Sequence, residues 1–243
     1  MKMIDFLNEN FKFTGDITIG RVGNGVILEV DDGGVLIKGS VGENAKIIQK
    51  GGNFSIGGNN NINICGSGQS VNIVNGEVWI DGKKAGDNGG ARKSELEYSV
   101  QIDGILGPGA SVKGTGNIRI KNISPEAEIS AGNNLEIENM AGGTADAGNN
   151  VKVSGKIMNA IIHAGNNFRQ ELYGNGIASS TINAVNNIKT NANISNCVLE
   201  AGNNIHAAAV LTSKLTAENN IDVESINADT ITKAGNKIKI RQR

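Results

Sequence analysis

The tetrapeptide Ala-Gly-Asn-Asn begins at positions 131, 147, 164 and 201, and blurred copies begin at 184, 217 and 234. Successive copies are therefore 16, 17, 20, 17, 16 and 17 residues apart. A near-constant period of this length marks a structural repeat, in which each unit buries its apolar face against its neighbours rather than in a separate core. Similar turns at Gly114 to Ile118, Ser67 to Val71, Lys50 to Phe54, Asp31 to Val35 and Phe13 to Ile17 carry the pattern towards the amino terminus. One stretch breaks it. Lys83 to Glu95 is polar and rich in glycine, and reads as an inserted surface loop.

Aligning the copies makes columns. Two residues before the turn stand Ile129, Ala145, Ile162, Ile182, Leu199, Leu215 and Thr232. Directly after it come Leu135, Val151, Phe168, Ile188, Ile205, Ile221 and Ile238, and two further on Ile137, Val153, Gln170, Thr190, Ala207, Val223 and Ile240. Apolar residues two apart with polar ones between describe a strand with one buried face, and the β-branched bias agrees. The turn's third position is Gly15, Gly33, Gly52 or Gly116, then Asn133, Asn149, Asn166, Asn186, Asn203, Asn219 and Asn236, with Gln69 the departure. Glycine and asparagine enter the left-handed backbone region most easily, so this position is expected to carry positive φ. The second position admits Val185 and Glu218, so glycine there reads as a preference. The fourth holds Asn134, Asn150, Asn167, Asn187, Asn204 and Asn220, a structural ladder whose carboxamides can hydrogen-bond from one coil to the next.

A strand, a tight corner and another strand per repeat give an all-β, single-domain parallel β-solenoid of about 13 short coils, roughly 60 Å long at the usual strand spacing. The period leaves its handedness open. The expected organisation is an N-terminal cap over 1–12, solenoid coils over 13–82, the loop at 83–95 and further coils over 96–243. Composition fits. Only 3% of residues are aromatic, so medium aliphatics must fill the core, while 38% hydrophobic content and a net charge of -1 are too apolar and too balanced for a disordered chain.

Polar residues interrupt the amino-terminal stretch MKMIDFLNENFKF, so no secretory signal is legible, and no segment is apolar enough to span a membrane. Cys65 and Cys197 lie far apart and form neither a disulfide framework nor a metal-ligand spacing. A cytoplasmic location is expected, with a signal-peptide-independent export route left open. Only two histidines are present, His163 and His206, both outward in different columns, and the glycines at Gly20 to Gly25 and Gly66 to Gly68 lack the strand-to-helix setting of a phosphate loop. The chain is therefore expected not to be an enzyme and to need no cofactor or metal. One outward column is mostly basic: Arg119, Glu136, Lys152, Arg169, Lys189, His206, Asp222 and Lys239. Within it Arg119, Lys152, Arg169, Lys189 and Lys239 form a candidate polyanion-binding stripe, while Glu138, Glu171 and Glu224 on the same face offer the competing reading of a charge-paired, solvated sheet.

The pattern Ala-Gly-x-(Asn/Asp)-(Ile/Val)-x-(Ile/Val), as in AGNNVKV at Ala147 to Val153 and AENNIDV at Ala217 to Val223, resembles the C-terminal β-solenoid of the flagellar assembly protein A family of bacteria. VLIKGSVGENAKI at Val35 to Ile47 and VQIDGILGPGASV at Val100 to Val112 are similar to coils of bactofilins, polymer-forming bacterial scaffolds. These resemblances imply a bacterial, non-enzymatic scaffold or binding rod. Separately, a last coil that offers unpaired backbone groups to a similar edge leads to the expectation of self-association through solenoid ends, as a homodimer through the C-terminal coil. The alternative is a polyanion- or protein-binding module, including a translocated effector, that uses the basic stripe.

Overall fold

The computed structural model describes residues 2–51, 71–74, 77–80, 83–84 and 98–242. It is an all-β parallel solenoid of about 11 turns, built on one 13-stranded and one 11-stranded sheet. Each turn contributes to both sheets in alternation: Glu128–Ala131 lies in the smaller, Leu135–Met140 in the larger, and Gly143–Ala147 in the smaller again. The register keeps the apolar columns continuous. Ile118, Leu135, Val151, Phe168, Ile188, Ile205, Ile221 and Ile238 are partners from strand to strand. All but Ile238 are buried, and at about 25 cal/mol per Å² of apolar area this unbroken stack is the main source of stability.

The two corners of each coil do different work. Among the described Ala-Gly-Asn-Asn turns no asparagine has positive φ, so that expectation is corrected; on this side of the rod only Gly15, Asp32 and Gly51 adopt it. Instead the asparagines extend the pairing through the turn. Asn149 N–H donates to the Asn133 carbonyl at 2.9 Å, and Asn166 N–H to that of Asn149 at 2.7 Å. Left-handed residues gather at the opposite corner, at Gly25, Asn44, Gly109, Glu126, Asn159, Ser179, Asn196 and Thr212, each two positions before a strand-pairing residue of the smaller sheet. Glycine at the turn's second position is also tighter than the sequence suggests. A Cβ on Gly132, Gly148 or Gly165 would overlap the carbonyl oxygen of the coil before it.

Val35–Ile37 pairs directly with Val100, Gln101 and Ile102, and Lys46, Ile47 and Ile48 pair with Ser111, Val112 and Lys113. No described strand intervenes. The strands Val71–Val74, Glu77–Ile80 and Lys83–Lys84 form a separate antiparallel sheet of three. The boundary of the first solenoid block at 82 is thus corrected: the rod runs from the coil ending near Lys50 into the one beginning near Tyr98, which accounts for 11 turns rather than 13. Alternating residues look alike in a parallel coil and in an antiparallel hairpin; only the pairing partner separates them. The turn at Ser67 to Val71 and most of the loop 83–95 fall outside the described residues.

The N-terminal cap is corrected as well. Lys2–Leu7 pairs in parallel with Ile17–Val22, and Phe11–Thr14 with Ile27–Asp31, so these residues form the first coil. Its core positions are filled by Ile4, Leu7, Phe11 and Phe13. The two phenylalanine rings stack with centroids 6.2 Å apart, and the Lys2 ammonium, in register with buried Ile17, lies 4.2 Å from the Phe11 centroid. The first coil thus closes its end with rings and a cation.

Candidate functional site

The outward column on the larger sheet is a true row: Arg119, Glu136, Lys152, Arg169, Lys189, His206, Asp222 and Lys239 are register partners in successive strands. At about 4.8 Å per strand such neighbours feel each other's charge. Compensation is extensive. Lys152 and Arg169 both approach Glu171, at 3.3 Å each, and Arg241 meets Asp222 at 3.0 Å and Glu224 at 3.8 Å. His206 Nδ1 stands 3.8 Å from the same Asp222 carboxylate. Of the five stripe cations, Arg119, Lys189 and Lys239 have no ion pair among the described residues. Glu171 stands two residues after Arg169, itself the register partner of Lys152, and so lies within reach of both.

A groove of about 410 Å³ on this face is lined in part by Asp103, Arg119, Lys121, Glu136, Glu138 and Lys152, three carboxylates against three cations. Tyr98 closes it chemically. Its phenol donates to a Glu136 carboxylate oxygen at 2.7 Å, and burial, followed by that hydrogen bond, pushes the phenol pKa up. The Arg119 guanidinium lies 6.0 Å from the Tyr98 ring. The groove's charges are therefore balanced by one another, and it favours no single ionic class of ligand.

The asparagine ladder is continuous and double. In the fourth-position column Asn134 Nδ2 donates to Asn117 Oδ1 at 2.9 Å, Asn150 to Asn134 at 3.0 Å, Asn167 to Asn150 at 3.1 Å, Asn187 to Asn167 at 3.0 Å, Asn204 to Asn187 at 3.0 Å and Asn220 to Asn204 at 2.8 Å. The same oxygens accept backbone N–H groups, as Asn150 Oδ1 does from Asn167 at 3.2 Å. The third-position asparagines repeat the arrangement from Asn133 to Asn236, with donor distances of 3.3 Å for Asn149 and 3.1 Å for Asn219. This second ladder occupies the turn position for which the sequence predicts positive φ.

One column escaped the sequence reading. Ala127, Ala160, Ser180, Cys197 and Ser213 follow the left-handed corner and point into the core. Ser180 Oγ accepts the Ala160 N–H at 3.1 Å, Cys197 Sγ that of Ser180 at 3.4 Å, and Ser213 Oγ that of Cys197 at 3.0 Å. Each group also donates to a carbonyl two residues back in its own coil, Ser180 at 2.7 Å and Cys197 at 3.0 Å. Burial raises the Cys197 thiol pKa, so this thiol is a structural acceptor and donor. Its legible signal was the recurrence of small residues at one repeat phase.

His163 and His206 lie on different sheets, and the described residues hold no group of three or more potential metal ligands. No helix among them is long and apolar enough to cross a membrane. No family model, curated protein or solved structure matches the chain.

Proposed function

We propose that the protein is a non-enzymatic scaffold: a stiff bacterial rod that acts by its length and its side-chain rows. The observation that carries this reading is the continuous parallel pairing of the two sheets, which keeps the outward row from Arg119 to Lys239 in register from strand to strand. Polyanion binding by the stripe is the weaker reading, because Glu171 engages two of its five cations. The proposed self-association runs through the coil of Ile231–Ala234 and Lys237–Gln242, where Ile238, in the otherwise buried column, is 41% exposed. Over Phe11 the exposed Lys2 ammonium disfavours an apolar contact, which would bury its charge.

Light scattering with negative-stain electron microscopy over a range of concentrations tests this. Rods roughly 50 Å long, given about 4.8 Å per turn, and dimers that form with concentration are the expected result. Compact spherical particles would remove the rod, and monomers at every concentration would remove self-association.

A further inference from the structure

The outer face of the smaller sheet carries a second groove, of about 780 Å³, whose chemistry differs from the first. Its floor is the row of Ala-Gly corners, and its open side bears Asp146, His163, Asn183 and Glu200, register partners in four successive strands. Asn183 turns its Nδ2 to His163 Nδ1 at 3.2 Å. The far wall is made where the chain breaks its own glycine rule: Val185, 71% exposed, and Glu218 occupy the turn position held elsewhere by glycine. No lysine or arginine lines the groove, and Asp146, Glu200 and Glu218 take part in no ion pair among the described residues. An apolar floor under uncompensated carboxylates repels polyanions and favours an apolar ligand that carries cations.

We infer that this groove binds an extended, cationic peptide segment of a partner protein, lying along the rod axis with lysine or arginine side chains over Asp146 and Glu200. Spacing supports the choice. Asp146 and Glu200 are three strands apart, about 14 Å at 4.8 Å per strand. In an extended peptide, residues i and i+4 point to the same side and are about 13.5 Å apart, so two cations at that spacing meet both carboxylates. The residue at i+2 then falls between them, over the alanine floor and Val185. The binding contributes nothing to the rod itself, so its failure leaves the scaffold reading intact.

The test is fluorescence anisotropy of the intact protein with the fluorescein-labelled peptide TKTVTKT, which sets valine between two lysines on one side of an extended chain, beside TKTVKTT, whose second lysine moves to the other side, and TETVTET. The expected result is binding of TKTVTKT that weakens as salt rises to about 0.5 M, exceeds TKTVKTT by about fivefold, and falls about tenfold in an Asp146→Asn, Glu200→Gln variant. Both substitutions are isosteric and lie on the surface, so an unchanged melting temperature accompanies the loss. Equal affinity for the two lysine peptides, equal affinity of the variant, or no binding of TKTVTKT would overturn the proposal.

Discussion

Val35 and Val100 are adjacent partners in the larger sheet, although the whole stretch from Leu36 to Ser99 separates them in the chain. Their side chains are both fully buried, and the column they belong to shows no break there. The corner that leads to Val35 is made by Asp31, Asp32, Gly33 and Gly34, after buried Val30. Joining Gly51 directly to Tyr98 would leave Lys50, Gly51, Tyr98 and Ser99 between Gln49 and Val100, a corner of the same length. A chain with 52–97 removed in this way is expected to keep its β circular dichroism and a cooperative melt; loss of either would show that the excursion holds the coils together.

Gln49 lies in the buried column at this junction, 1% exposed. Its Nε2 donates to the Gly33 carbonyl at 2.8 Å, while its Oε1 accepts the Thr115 N–H at 3.1 Å and hydroxyl at 3.2 Å. Gln49→Leu leaves the carbonyl of buried Gly33 without this partner and should destabilise the protein by about 1–3 kcal/mol, measured by urea unfolding. A change below about 0.5 kcal/mol would mean that the seam does not depend on this carboxamide.

Asn167 is the clearest test of the ladder. It donates to Asn150 at 3.1 Å and accepts from Asn187, whose Nδ2 is 3.0 Å and backbone N 3.3 Å away. Asn167→Ala should cost about 2–3 kcal/mol, and Asn167→Asp a similar amount, because it sets a carboxylate against Asn150 Oδ1. Asn133→Ala, at the end of its column, should cost less. Equal losses for Asn133→Ala and Asn167→Ala in chemical denaturation would argue against a cooperative ladder.

Cys197 sits between two serines that make the same pair of hydrogen bonds. Cys197→Ser should therefore change stability by less than about 0.5 kcal/mol, whereas Cys197→Val, which removes the acceptor for the Ser180 N–H, should cost about 1–3 kcal/mol. In a Cys65→Ser background the remaining thiol should react with a disulfide reagent only on unfolding. Rapid labelling of the native protein would contradict its burial.

The raised Tyr98 pKa has a definite sign. The folded state holds this proton more tightly than the unfolded state, whose tyrosine titrates near 10, so stability is unaffected below that pH and falls above it. Tyr98→Phe should remove this alkaline loss while lowering stability at neutral pH by about 1 kcal/mol through the lost bond to Glu136. Parallel pH profiles for the two proteins would disprove the assignment.

Ile205→Asp places a carboxylate in a site 1% exposed between Ile188 and Ile221, and unfolding at ambient temperature is expected. Asp222→Asn on the outer row should shift the melting temperature by no more than a few degrees. Similar melting temperatures for both would refute the division of the coil into inward and outward columns.

The sequence by itself determined the coil. The 16 to 17 residue period and the alternation around Leu135 and Ile137 mark an inward face that must be covered, and only stacking of equivalent coils covers it in every repeat. It also determined the fourth-position ladder, because identical asparagines in identical corners stand one strand apart. Pairing decided the rest. Nothing local distinguishes the alternation of Val71–Val74 from that of Val100 to Ile102, yet one pairs antiparallel in a hairpin and the other continues the rod. Nor does local sequence say which corner carries positive φ, since asparagine serves equally as a left-handed residue at Asn159 and as a hydrogen-bonded rung at Asn166. The stripe was legible as a row, and Glu171 as a carboxylate on its face, but which cations that carboxylate meets was not: it reaches Arg169 in its own strand and Lys152 in the strand beside it. Inward and outward are properties of a single strand and can be read from it, whereas partner, corner and counter-ion belong to the strand beside it and exist only once the coils are stacked.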